Sequence, residues 1–138
     1  TIIELGGIIS VHAGSKSNSI ESIKSNLLVK QETKTTLLSD YVSILELGKP
    51  EDEKVYQEKV FPSIGFKLPI IICSDNHDIK NYSLKENCWI KADPTFEGLK
   101  QIIYEPTERV KIQENNPKLD YDKPYFSSIF FRNDENIF

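Results

Sequence analysis

The sequence predicts an α/β fold with mainly parallel strands, and three observations predict it. Short apolar runs rich in β-branched residues recur at 8–14, 42–48 and 70–73, as the strands of a covered sheet do. The stretches between them are longer than a hairpin needs and carry helix signals, so each strand returns through a crossover. The runs also end in polar residues: His12, Glu46, and Asp75 with His77. That end of a parallel strand is where α/β folds handle ligands and metals.

Taken in order, Thr1-Ile2-Ile3-Glu4-Leu5 reads as the end of a helix, broken at Gly6-Gly7. The first strand follows, with His12 near its end. Asn18 and Glu21 have the spacing of a capping box and predict a helix over about residues 20–28. Ile20, Ile23, Leu27 and Leu28 would form its apolar face. Residues 30–36 are polar and suit either more helix or a loop, and Leu37, Leu38 and Tyr41 suggest another amphipathic turn. The second strand places Glu46 near its end. Residues 50–59 suit a helix, with Val55, Val60 and Ile64 as its apolar side and Gly65 just past its end. The third strand, at 70–73, reads as buried on both faces. A fourth is expected at 88–92. Asp93 as N-cap and Pro94 at the first position predict a helix start, with Phe96, Leu99, Ile102 and Ile103 inward and Pro106 as its stop. Residues 110–112 suit a short strand. Residues 114–123 are polar, and 125–131 are strand-like and aromatic.

A chain of 138 residues, 38% hydrophobic and 28% charged, is enough for one globular domain with a core. Its net charge of -4 gives no general basic footprint for nucleic acid. No run approaches the roughly 20 apolar residues of a membrane span, so no membrane partner is expected. Cys73 and Cys88 read as small packed residues in apolar strands, which makes a reducing cytoplasm the expected compartment. The absence of methionine, and a start at Thr1 within what reads as a helix, suggest a piece of a longer protein.

Asp75 and His77 are two positions apart. In extended backbone they would point to one side and could reach one metal ion or two adjacent ones. Ser74, Asp75 and Asn76 equally suit a plain turn, and Glu46 suits a salt bridge as well as a metal. The chain has two histidines, both at predicted strand ends, which favours the metal. Mixed imidazole and carboxylate ligands suit Mn, Zn or Fe. A metal there would activate water and polarise a phosphoryl oxygen. Ser10 and Ser74 offer a Ser-His-Asp alternative, but without a Gly-x-Ser-x-Gly elbow. No P-loop pattern exists.

Three stretches, Gly6-Gly7-Ile8-Ile9-Ser10-Val11-His12-Ala13-Gly14, Ile44-Leu45-Glu46-Leu47 and Cys73-Ser74-Asp75-Asn76-His77, resemble the later motifs of the PHP (polymerase and histidinol phosphatase) domain. The resemblance implies the carboxyl-terminal part of a distorted seven-stranded α/β barrel with up to three divalent metals. It matches His12 to the histidine of the third motif, and Asp75 and His77 to the Asp-x-His of the fourth. These three would be the catalytic metal ligands, with Glu46 as a further candidate. The run Cys88-Trp89-Ile90-Lys91-Ala92-Asp93-Pro94-Thr95-Phe96-Glu97-Gly98-Leu99, with Ile103-Tyr104-Glu105-Pro106, resembles bacterial TrlF-type proteins. Those join a PHP domain to an AAA/ABC-like ATPase domain. Residues 1–110 would then be the PHP-type portion, and 111–138 a linker or strand leading toward the ATPase domain in cis. The family's opening Asp-x-His-x-His is not in this sequence, so the chain is expected to hold about half a site and to be weak or inert alone. The implied function is metal-dependent hydrolysis of a phosphoester, with nucleic acid as one substrate class of the parent protein. The alternatives are a non-catalytic metal-binding or regulatory module beside the ATPase, and a domain whose polar strand ends merely cap strands.

Overall fold

The structure, a computed structural model, describes residues 2–22 and 27–117, with backbone alone for 27–31. Its elements are β1 (Ser10–Ala13), a 3₁₀ turn (Ile20–Ser22), α1 (Leu27–Asp40), β2 (Ile44–Leu47), α2 (Glu51–Val55), a π turn (Tyr56–Val60) and α3 (Phe61–Ile64). After these come β3 (Ile70–Ile72), a 3₁₀ turn (Ile79–Asn81), β4 (Cys88–Ile90), α4 (Phe96–Tyr104), α5 (Pro106–Arg109) and β5 (Val110–Ile112).

The three β-branched runs do form a parallel sheet, in the order β1-β2-β3. Side chains alternate between its faces. Val11, Ala13, Leu45, Leu47 and Ile70 pack on Leu38, Val42, Tyr56, Phe61 and Leu68. Ile44 and Ile71 pack the other way, on Leu99, Ile102, Ile103 and Val110. The sheet is thus covered by α1, the π turn and α3 on one face and by α4 with Cys88 of β4 and Val110 of β5 on the other. This explains why its strands read as continuous apolar runs. Among the described residues β1 and β3 are the edges of this sheet.

Several elements differ from expectation, each for a local reason. Residues 2–6 form a turn, not a helix end, with Gly6 N–H on the Ile3 carbonyl and Gly7 N–H on the Ile2 carbonyl, both at 2.8 Å. Of the expected helix at 20–28, Ile20–Ser22 form a 3₁₀ turn and residues 27 and 28 belong to α1, while 23–26 lie outside the described residues. The capping box is not made: Asn18 is left-handed, at φ 54°, and the Glu21 carboxylate accepts instead from Gly14 N–H and the Tyr56 hydroxyl. Ile23 and the tail at 125–131 lie outside the described residues.

Helix 51–64 is present; Val60 and Ile64 pack on the core as expected, but Val55 is exposed. Its central turn is π-type, with i→i+5 bonding. That brings Tyr56 and Phe61, five apart, to one side, with ring centroids 5.7 Å apart at 70°. Gly65 ends it in the left-handed conformation at φ 82°, which glycine adopts without steric cost.

The fourth strand leaves the parallel pattern. β4 pairs antiparallel with β5 in a separate two-stranded sheet, because α4 and the Pro106-initiated α5 turn the chain back beside it. This pairing carries Lys111 and Ile112 into the fold, past residue 110. α4 is capped by Thr95, whose Oγ1 accepts from Gly98 N–H at 2.9 Å, and not by Asp93. Phe96 stays exposed while Ile102 is fully buried. No helix among the described residues is long and apolar enough to cross a membrane.

Candidate functional site

The parallel register decides what the strand ends bring together. His12, Glu46 and Ile71 occupy one rung across β1, β2 and β3, so all three leave the same face of the sheet. One residue later the strands finish, and the exit loop of β1 folds across their ends. That loop is tied down at four consecutive points. Gly14 N–H donates to Glu21 Oε1 at 3.0 Å. Ser15 donates to Asp52 Oδ2 through its N–H at 2.8 Å and its hydroxyl at 2.7 Å. Lys16 reaches Glu46 and Asp75. The Ser17 carbonyl lies 3.0 Å from His12 Nδ1.

Gly48, just past β2, makes this closure possible. A Cβ there would lie 2.9 Å from the Lys16 backbone nitrogen and 3.1 Å from Ser15 Oγ. Without a side chain at 48, the β1 loop packs directly on the β2 exit, and Lys16 is aimed between the two carboxylates.

The outcome is a chain of alternating charge. Lys16 Nζ donates to Glu46 Oε1 and, at 2.8 Å, to Asp75 Oδ1, while Lys85 Nζ donates to Asp75 Oδ2 at 2.7 Å. The Lys16 side chain is only 8% exposed, whereas that of Asp75 is 43% exposed. Burial works against the Lys16 ammonium, but its hydrogen bonds to Asp75 and Glu46 and their charges outweigh it, and its pKa ends above the usual 10.5. The Lys16 and Lys85 hydrogen bonds hold Asp75 down at about 2. Desolvation first, and then Glu46, push the Cys73 thiol up. Cys73 is exposed, not packed as expected, because β3 ends one residue before it.

The structure therefore brings His12, Glu46 and Asp75 to one pole and leaves His77 exposed in the loop beyond. The expected alignment of Asp75 with His77 required extended backbone. Asp75 is instead left-handed, at φ 53°, so the alternation rule does not apply to the pair. Its neighbours make the turn. Ser74 Oγ accepts from Asn76 N–H at 3.2 Å, Asn76 Oδ1 from Asp78 N–H at 2.9 Å, and Asp78 Oδ1 from Lys80 N–H at 2.9 Å. Ser74 is thereby committed to the loop. Lys16, Lys85 and Asp52 do not stand out in the sequence. The one signal for Lys16 is its place two residues after Gly14, in the exit loop of the first strand.

Two carboxylates facing one cation is donor chemistry that a metal ion shares, but here the cation is Lys16. Among the described residues no group of three or more His, Cys, Asp and Glu is placed to hold a metal ion. In this arrangement the residues do not fit a metal. A separate cleft of about 240 Å³ opens beside the start of β3, lined in part by Glu53, Lys67 and Lys111. Burial raises the Glu53 carboxyl there, against the Lys111 charge. It contains none of the residues expected from the sequence to form a site. No family model, curated protein or solved structure matches the chain.

Proposed function

We propose that the chain belongs to a PHP-type phosphoesterase domain that hydrolyses a phosphoester with divalent metal ions (Mn, Zn or Fe), and that the pole at the ends of β1–β3 is part of its site. One observation carries this reading: His12 and Glu46, near the ends of β1 and β2, and Asp75, in the loop that follows β3, are gathered at one pole of the parallel sheet, with Lys16 on both carboxylates. His12, Glu46 and Asp75 each belong to one of the three motif stretches. In this reading the three-stranded sheet is a section of the family's distorted barrel, and nucleic-acid phosphodiesters are one substrate class of the parent protein. An AAA/ABC-like ATPase domain in cis belongs to the same proposal.

In the arrangement described, this chain's residues act electrostatically. Lys16 and Lys85 hold Asp75 ionised, Lys16 holds Glu46, and the pinned β1 loop fixes all three. The second reading, a non-catalytic regulatory module, is favoured by one specific observation: Lys16 ties up facing oxygens of both carboxylates.

The test is hydrolysis of bis(p-nitrophenyl) phosphate by the full-length protein with Mn²⁺, Zn²⁺ or Fe²⁺. The phosphoesterase reading expects metal-dependent turnover that Asp75→Ala reduces at least 100-fold. Absence of turnover with every metal contradicts it and leaves the regulatory module.

A further inference from the structure

We infer that the cleft beside the start of β3 is a binding site for a small zwitterion with an aliphatic body, of the chemistry of an aliphatic α-amino acid. Its carboxylate would sit between Lys67 and Lys111, and its ammonium would meet Glu53 and Gln57. The cleft shares no residue with the pole at the ends of β1–β3, and the site does not depend on the phosphoesterase reading.

Several parts of the chain meet around this cleft of about 240 Å³. Glu53 of α2 and Gln57 of the π turn are four apart and line it together. Lys67 comes from the loop before β3, and Lys111 from β5. Leu68, Ile70 and Val110 give it an apolar lining, and each is less than a tenth exposed. The volume is about eight times the roughly 30 Å³ share of a water molecule in the liquid. That suits a ligand of amino-acid size rather than a nucleotide or a peptide.

The polar lining is uncommitted. At the strand-end pole Lys16 and Lys85 are held by carboxylates. Among the described residues the side chains of Glu53, Gln57, Lys67 and Lys111 make no hydrogen bond or ion pair, and Lys111 acts on Glu53 through its charge alone. Glu53, Gln57 and Lys111 are half-buried, so hydrogen bonds that a ligand makes to them compete less with water. Two ammoniums against one carboxylate draw an anion to the cleft. A plain anion would be repelled by Glu53. A ligand with its own ammonium turns that repulsion into attraction, the more so because burial raises the Glu53 carboxyl and the Lys111 charge offsets this only in part. An aliphatic body then covers Leu68, Ile70 and Val110.

The experiment follows the methyl NMR signals of the full chain during titration with L-leucine and with three analogues that each lack one part. Isocaproate lacks the ammonium, isoamylamine the carboxylate, and glycine the aliphatic body. Expected is saturable binding of L-leucine that shifts the Leu68, Ile70 and Val110 methyls, with each analogue weaker by roughly tenfold or more. Lys67→Gln and Lys111→Gln should each weaken L-leucine by a similar factor. Glu53→Gln should weaken L-leucine and tighten isocaproate, an inversion that a folding defect would not produce. Methyl signals unmoved at every L-leucine concentration overturn the inference. So does isocaproate binding as tightly as L-leucine to the wild type, and so does L-leucine binding unchanged in both lysine variants.

Discussion

Lys16 is one of 17 Lys and Arg residues in the chain, and its role comes from its neighbours rather than from its type. The acid limb of stability should report its contact with Asp75. The Asp75 pKa falls from 3.8 in the ordinary state to about 2 in the fold. A depressed carboxylate stabilises the fold fully above its unfolded pKa and loses that contribution as pH falls through the folded one. The loss should therefore run from about pH 4 down to about 2. With Asp75 nearly half exposed, solvent screening keeps it to about 1 kcal/mol or less. Urea unfolding between pH 5 and 2 checks this, and Asp75→Asn should flatten the slope in that window. Gly48→Ala should be costlier. Its methyl would meet the Lys16 backbone at 2.9 Å, an overpacking worth about 1–3 kcal/mol. It should also release the Lys16–Glu46 pair, which the Lys16 Cε signal would show. No property of a single sequence marks this glycine as the contact point of two strand exits. Beside Pro50 it looks like ordinary loop chemistry.

At the scale of elements, the strands are legible in the sequence and the helices less so. Three β-branched runs admit little but buried strands, and they form β1, β2 and β3. α1 is hard to place because residues 30–36 are polar throughout and show no 3.6-residue period to read. The buried side of helix 51–64 is legible at Val60 and Ile64 but not at Tyr56 and Phe61, because a π turn resets the period at Tyr56. Tyr56 also serves the β1 exit loop, since its hydroxyl donates to Glu21, and burial together with that bond pushes its pKa far up. Glu21 Oε2 is buried without a hydrogen-bond partner among the described residues. Tyr56→Phe would leave Oε1 with Gly14 N–H alone and should destabilise by about 1–3 kcal/mol, measured by urea unfolding. Thr95→Ala removes the α4 cap bond to Gly98 and should cost about 1 kcal/mol by the same measurement. Asp93-Pro94 suggests a start two residues early, because Asp and Pro suit both a cap and the turn that precedes one.

Across the whole molecule, the layered arrangement leaves one end of the sheet for the polar residues to gather at. α1, the π turn and α3 cover one face, and α4 with residues of the β4–β5 ribbon covers the other. Ile102 is fully buried in the second layer, so Ile102→Ala should lower stability by about 2–5 kcal/mol. If that layer only supports the sheet, such a loss leaves the Lys16–Asp75 contact intact while the protein remains folded. Of the candidate site, the part legible in the sequence is that His12 and Glu46 lie near the ends of consecutive strands and Asp75 in the loop just past the third. The pairing of those residues through Lys16 is not, since it depends on contacts from the β1 exit loop to residues 30 and 59 positions further along the chain. His77 looks like the partner of Asp75 only as long as the backbone is taken to be extended there.

The measurement that tests the phosphoesterase reading most directly is Mn²⁺-dependent hydrolysis of a phosphodiester by the full-length protein, beside its Asp75→Ala and His12→Ala variants. Turnover that needs the metal and falls at least 100-fold in both variants would assign the chemistry to the ends of β1–β3. Turnover unchanged in both variants, or none in the wild type with metal present, would contradict it.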